Sequence, residues 1–109
     1  MHELSITQSI VDAVVARMDG ARISAVRLEI GRLSGIVPDS VRFCFDIVAG
    51  GTILEGASLR IDEPPGRVHC RTCNGDSELE DPFPLCPCGS ADIEMLSGNE
   101  LRIKSVEVA

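Results

Sequence analysis

Cys70-Arg71-Thr72-Cys73 and Cys86-Pro87-Cys88-Gly89 place four of the five cysteines in one short acidic stretch. Two tight turns that each present a thiol pair are the layout of a small metal-bound ribbon. Zinc in structural sites takes four ligands in a tetrahedron, and thiolates from two such turns satisfy it without a large core. Asn74, Gly75, Pro82, Pro84, Pro87 and Gly89 supply the turn chemistry. Cys70, Cys73, Cys86 and Cys88 are therefore the candidate zinc ligands of an inserted module at residues 67–96, whose folding free energy the metal mostly supplies. The second pair is one residue shorter than a usual ribbon knuckle, so its turn is expected to be tighter, with fewer amides aimed at the first sulfur. His69 is a substitute ligand or a neighbour of the site by sequence. Adjacent residues of an extended chain point to opposite faces, which favours an exposed histidine outside it. A redox dithiol or a disulfide is the competing chemistry for the cysteines.

Outward from the module, Pro64-Pro65-Gly66 breaks the pattern before it and reads as a hinge. Ser58 to Glu63 alternates, with Leu59 and Ile61 inward. Leu101 to Val108 is the last strand, and its apolar phase slips between Ser105 and Val106, where a bulge is expected. Residues 22–31 alternate as a half-buried strand on Val26, Leu28 and Ile30. Ile6, Ile10, Val11, Val14, Val15 and Met18 recur at the spacing of one helix face, ended by Gly20. Ser5 and Gln8 read as a capping box that starts this helix near Ser5, leaving His2 and Glu3 on an extended lead-in. A second helix starts at Pro38 and carries Val41, Cys44, Phe45 and Val48 on one side, with Cys44 a small buried hydrophobe. The fold class is α+β: a small mixed sheet covered by two helices, with a zinc-ribbon-like module inserted before the final strand. The expected division is a domain of residues 1–66 plus 97–109 and a second of residues 67–96. Both connections to the module are expected to leave neighbouring strands, making it a knob of variable orientation.

The net charge of −7 argues against nucleic acid, whose phosphates select basic surfaces. Around the cysteines, Arg67 and Arg71 face Asp76, Glu78, Glu80, Asp81, Asp92 and Glu94. No stretch approaches the roughly 20 apolar residues of a membrane span, and no signal-peptide pattern opens the chain. A cytosolic protein is expected, where paired cysteines mark metal more often than disulfide. Three aromatics, all Phe, leave a modest aliphatic core that a metal staple would support. No Ser/His/Asp arrangement, phosphate loop or recognisable carboxylate pair is present, so no enzyme is expected.

Met1-His2-Glu3 sets an imidazole beside a free amine. A bulky second residue disfavours removal of the initiator Met. Amine, His2 amide nitrogen and His2 Nδ1 can then close two fused chelate rings on one ion. A nitrogen-rich, roughly planar set suits Ni(II) or Cu(II), whereas a thiolate tetrahedron suits zinc. Glu3 adds a backbone nitrogen or a carboxylate. Binding displaces protons from groups of ordinary pKa about 7.7–8.0 and about 6.5, so affinity is expected to fall below neutrality. A frayed terminus is the plain alternative.

Taken together, the chain resembles the hydrogenase maturation nickel metallochaperones, the HypA/HybF family, nearly end to end. The resemblance rests on Met1-His2-Glu3, Leu28-Glu29-Ile30-Gly31, Phe43-Cys44-Phe45-Asp46, the cysteine pairs with Cys-Pro before the last, and Gly98-Asn99-Glu100-Leu101-Arg102-Ile103. It implies His2 as principal nickel ligand with Glu3 beside it, and Cys70, Cys73, Cys86 and Cys88 as holders of structural zinc. It further implies delivery of Ni(II) to a nickel-handling GTPase and a hydrogenase large subunit, with a homodimer left open. Some members bring an acidic side chain to the nickel from the loop after the second strand. The aligned position here is Val37, with Asp39 nearby, and that ligand is not transferred. The rival reading is an acidic zinc-ribbon protein-interaction adaptor without nickel transfer.

Overall fold

The computed structural model describes residues 2–79 and 85–109. The amine of Met1, the acidic Glu80 and Asp81, and the turn residues Pro82 and Pro84 lie outside the described residues.

Alternation and helical periodicity give the elements their order: α1 (Glu3–Met18), β1 (Ile23–Ile30), α2 (Pro38–Ala49), β2 (Ser58–Asp62), β3 (Gly66–Cys70), β4 (Asp76–Leu79), β5 (Ile93–Ser97) and β6 (Leu101–Val108). The strands form two three-stranded sheets, ordered β2-β1-β6 and β4-β3-β5. In the first, β1 runs parallel to β2 and antiparallel to β6, so the sheet is mixed as expected. A crossover joins parallel neighbours, and α2 with the segment after it provides that crossover here.

One apolar core joins the first sheet to the helices. Ile10, Val11 and Val14 of α1, Val41, Phe45 and Ala49 of α2, and Ile23, Val26, Leu28 and Ile30 of β1 are buried together with Leu54. Cys44 is only half-buried, because it sits at the margin of the face that carries Val41 and Phe45.

Three expectations need correction. α1 begins at Glu3, with His2 as N-cap. The Ser5 hydroxyl donates to the His2 carbonyl at 3.0 Å, and Gln8 donates forward to Asp12 at 2.8 Å, so the capping box does not form. The helix reaches further back because Glu3 is held by tertiary contacts, a cause that no local pattern displays. Second, the bulge of β6 falls one residue early: Arg27 opposes Ser105 and Leu28 opposes Ile103, leaving Lys104 as the extra residue. Third, the module's connections leave β2 and β6, the two edges that flank β1, and not neighbouring strands.

At that junction three backbone segments meet. The Arg32 amide donates to the Pro64 carbonyl at 3.0 Å, Leu33 to Gly98 at 2.8 Å, and Gly31 to Glu100 at 2.8 Å. Ser97 Oγ donates to the Pro65 carbonyl at 2.9 Å. The Pro64-Pro65-Gly66 triplet is thus fastened on both sides. Gly66 and Gly98 are so close that a Cβ on Gly98 would lie 2.7 Å from Gly66 Cα.

Candidate metal centres

Cys70 ends β3, buried, and the chain turns back so that its amide donates to the Gly75 carbonyl at 2.8 Å. Asn74 takes φ +60 within this turn, a conformation asparagine tolerates better than most residues. The Cys73 amide donates to Cys70 Sγ at 3.4 Å. The second turn is closed by the Cys86 amide donating to Ser90 and the Gly89 amide to Cys86, at 2.9 and 2.8 Å. Its shorter spacing lets the Cys88 amide, two residues on, reach Cys86 Sγ at 3.5 Å. The two turns face each other and are tied by Thr72 Oγ1 to Ser90 Oγ at 2.8 Å. Arg71 braces them against β5, pairing with Asp92 at 3.0 Å and Glu94 at 3.7 Å.

The four Sγ atoms lie within 4.8 Å of one another, with Cys70 to Cys88 and Cys73 to Cys86 both 3.7 Å apart. A tetrahedral zinc with sulfurs at about 2.3 Å would set them about 3.8 Å apart. The cluster therefore fits a four-coordinate ion, and the short Cys86-Pro87-Cys88 spacing does not prevent all four thiols from converging. None of the cysteines is in a disulfide.

Electrostatics point the same way. The Cys73 amide, followed by burial acting against it and the Thr72 amide acting with it, leaves the Cys70 thiol drawn down to about 6. At Cys88 the Ser90 amide pulls down, but the neighbouring thiol of Cys86, burial, and the thiols of Cys70 and Cys73 outweigh it and push the group up to about 12. Four negative charges cannot gather in this space by themselves. A divalent cation at the centre lets all four thiols ionise, which is the chemistry zinc would supply there.

His69 does not join the cluster. Its Nδ1 lies 2.6 Å from Asp76 Oδ1 across the β3–β4 ladder. The histidine therefore occupies the strand position opposite in facing to Cys70, as alternation requires.

At the other candidate centre, His2 is exposed at the head of α1, and its carbonyl accepts the Ile6 amide at 2.9 Å. Glu3 is buried, 8% exposed. Its Oε2 accepts the Val37 amide at 3.3 Å, and its carbonyl accepts Thr7 Oγ1 at 2.6 Å. Val37 is the N-cap of α2, so Glu3 pins the start of one helix to the start of the other. Asp39 and Glu3 line one groove of about 430 Å³ with Leu4, Ser40, Phe43 and Cys44. The structure thus brings Glu3, next to His2 in the chain, together with Val37 and Asp39. The Val37 amide and Thr7 hydroxyl were not legible as parts of the site, since nothing in their local sequence marks them.

A profile described as "Hydrogenase/urease nickel incorporation, metallochaperone, hypA" matches residues 1–108. The hydrogenase maturation factor HypA of Nostoc punctiforme is 51% identical over 108 residues, covering 99% of this chain and 96% of that protein. The hydrogenase maturation factor HypA of Geobacter metallireducens is 47% identical over 109 residues, covering 99% of each. Among solved structures, the solution structure of the Ni metallochaperone HypA from Helicobacter pylori superposes with TM-score 0.68 at 23% identity, covering 99% of this chain and 97% of that one. Similarity at that identity establishes a shared fold.

Proposed function

The chain belongs to the HypA family, the metallochaperones of hydrogenase/urease nickel incorporation, and from that premise we propose that it carries Ni(II) as cargo at its amino terminus. His2 is the principal ligand and Glu3 contributes or positions. Cys70, Cys73, Cys86 and Cys88 hold a structural zinc that stays with the protein. In this reading residues 1–66 with 97–109 carry the nickel end, and residues 67–96 form the zinc unit. The recipient is the hydrogenase maturation machinery in the cytoplasm, through a nickel-handling GTPase and a hydrogenase large subunit. No described helix is long and apolar enough to cross a membrane.

The observation that carries the reading is the hydrogen bond from the Val37 amide to the Glu3 carboxylate, which anchors a terminus that would otherwise fray. Anchoring leaves His2 exposed at a fixed place. Its amide precedes the first helical turn, where helix geometry supplies no carbonyl acceptor. Nitrogen donors there select nickel, while sulfur donors in the ribbon retain zinc. A cation beside a helix N-terminus faces the positive end of the helix dipole, and the carboxylates of Glu3 and Asp39 offset that repulsion.

Nickel and zinc stoichiometry on untagged protein tests this. His2→Ala, or one residue added before Met1, should abolish nickel binding and leave zinc and the circular dichroism spectrum unchanged. Unaltered nickel uptake in both variants would remove the amino-terminal site, and a wild type that holds zinc but takes up no nickel would replace the carrier with the zinc-ribbon adaptor.

A further inference from the structure

We propose that the free edge of β6 pairs with the same edge of a second copy of this chain, antiparallel, about a two-fold axis between Lys104 and Ser105. This surface is independent of the nickel site, so its test stands apart from the carrier reading.

Among the described residues β6 has a strand neighbour on one side only. An unpaired edge is a template for another strand unless the fold blunts it. Here α1 also stops short of it: a groove of about 380 Å³ lies between Ile6, Ser9, Ile10 and Ala13 of the helix and Leu101 and Ile103 of the strand. Leu101 is 42% and Val108 is 54% exposed, with Ile103 and Val106 half-buried.

The strand is complementary to itself reversed. Pairing about the proposed axis sets Leu101 against Val108, Ile103 against Val106 and Arg102 against Glu107, so apolar meets apolar and cation meets anion. The bulge produces this match. Leu101, Ile103, Val106 and Val108 oppose Ile30, Leu28, Val26 and Ile23, all buried core residues, so they share the face turned toward the helices. The same four residues also direct their backbone groups outward. The Glu100 carbonyl and the Ala109 amide both bond toward β1 and its flanks, and alternation then turns Leu101 and Val108 away. Without the bulge at Lys104 the alternation would run unbroken, and the symmetric register would instead set Lys104 against its own copy.

Lysine on an edge often guards it. Lys104 does not act so, because its ammonium turns back over the sheet to Glu29 at 3.5 Å and Asp62 at 3.9 Å. Glu107 has no ion pair among the described residues. Pairing would join the two sheets into six continuous strands and bring the two grooves together across the axis. An interface of one short strand and its flank is small, so the dimer should exchange with monomer as concentration changes.

Sedimentation velocity of the zinc-loaded full chain across a concentration series tests the pairing. The wild type should shift from monomer to dimer. Glu107→Arg turns both symmetric charge pairs into repulsive ones and should raise the dissociation constant about tenfold or more. Arg102→Glu should do the same, and an equimolar mixture of the two variants should recover the dimer, because each supplies the charge the other needs. Val108→Pro removes one outward amide at a position where an edge strand tolerates proline, and it should also weaken association. It serves alone if Arg102→Glu does not fold by circular dichroism. A wild type that stays monomeric at every concentration overturns the proposal, as does a dimer indifferent to Glu107→Arg and Val108→Pro.

Discussion

Gly31 concentrates the consequences of a single atom. A Cβ there would collide with the carbonyl of Gly98, a backbone atom that cannot rotate aside. The Gly31 amide also donates to Glu100, so the segment cannot retreat without losing that bond. Gly31→Ala should therefore destabilise by about 1–3 kcal/mol, the usual cost of overpacking, and more if the junction opens. Urea denaturation of the zinc-loaded protein measures it, and a midpoint unchanged from wild type would mean that the junction yields freely. In the sequence Gly31 reads only as the end of a strand. Its necessity comes from Gly98, a partner remote along the chain. The same limit explains Ser5 and Glu3. Ser-x-x-Gln has the letters of a capping box, yet the side chain that fixes the start of the helix is Glu3, through an amide of the next helix. His2, by contrast, is proposed from its position next to the terminal amine alone, which needs no partner from elsewhere in the chain.

The strands of the first sheet and the two helices were read with little error because their periods are local, whereas β3, β4 and β5 were not read as strands. β1, α2 and β6 fall within a residue or so of where alternation and Pro38 place them. Harder to read was what the outer face of the first sheet does. There Arg27 pairs with Asp62 at 2.7 Å, and Glu29 pairs with both Arg102 and Lys104. These residues alternate correctly as a solvent face, but their pairing depends on the strand order β2-β1-β6, which no single segment encodes. The hydrogen bond from Arg102 is the main cause holding the Glu29 carboxyl below its ordinary range, and the one from Arg27 does the same for Asp62. Both groups are lowered on folding, so their stabilisation is complete above the unfolded values of about 4.3 and about 3.9 and is lost as pH falls through the lower folded values. Glu29→Gln with Asp62→Asn should thus be less stable than wild type at pH 7, and the gap should close as pH drops below about 4. Taking the difference between the two proteins separates these carboxylates from metal release, which acid also causes. A gap that stays constant from pH 7 to pH 3 in chemical denaturation would show that the ion pairs do not carry it.

For the whole molecule, the two sheets are stabilised by different means, and that difference is open to test. The first rests on a continuous core that includes Phe45, Leu28, Ile30, Leu54 and Val41. Among its described residues the second buries Val68, Cys70 and Cys86, while Met95, Leu96 and Leu85 face solvent. Hydrophobic burial scales with area, so the described apolar side chains support β3, β4 and β5 far less than the first core supports its own sheet. The four thiols lead to the same expectation, because charges that would repel one another become ligands once an ion sits among them. Removing zinc with a strong chelator under reducing conditions should release the amides of β3 and β5 to fast hydrogen exchange. Those of α1, α2 and β1 should stay protected. The cysteine spacing made the four-thiol cluster legible from the start. The asymmetry of support was not legible, since exposure of Met95 and Leu96 follows from which sheet they join and not from their hydrophobicity. If chelation instead exposes α1 and α2 together with β3, the clamp of Gly31, Leu33 and Pro64 transmits unfolding across the junction, and the two halves form one cooperative unit whose stability the zinc governs throughout.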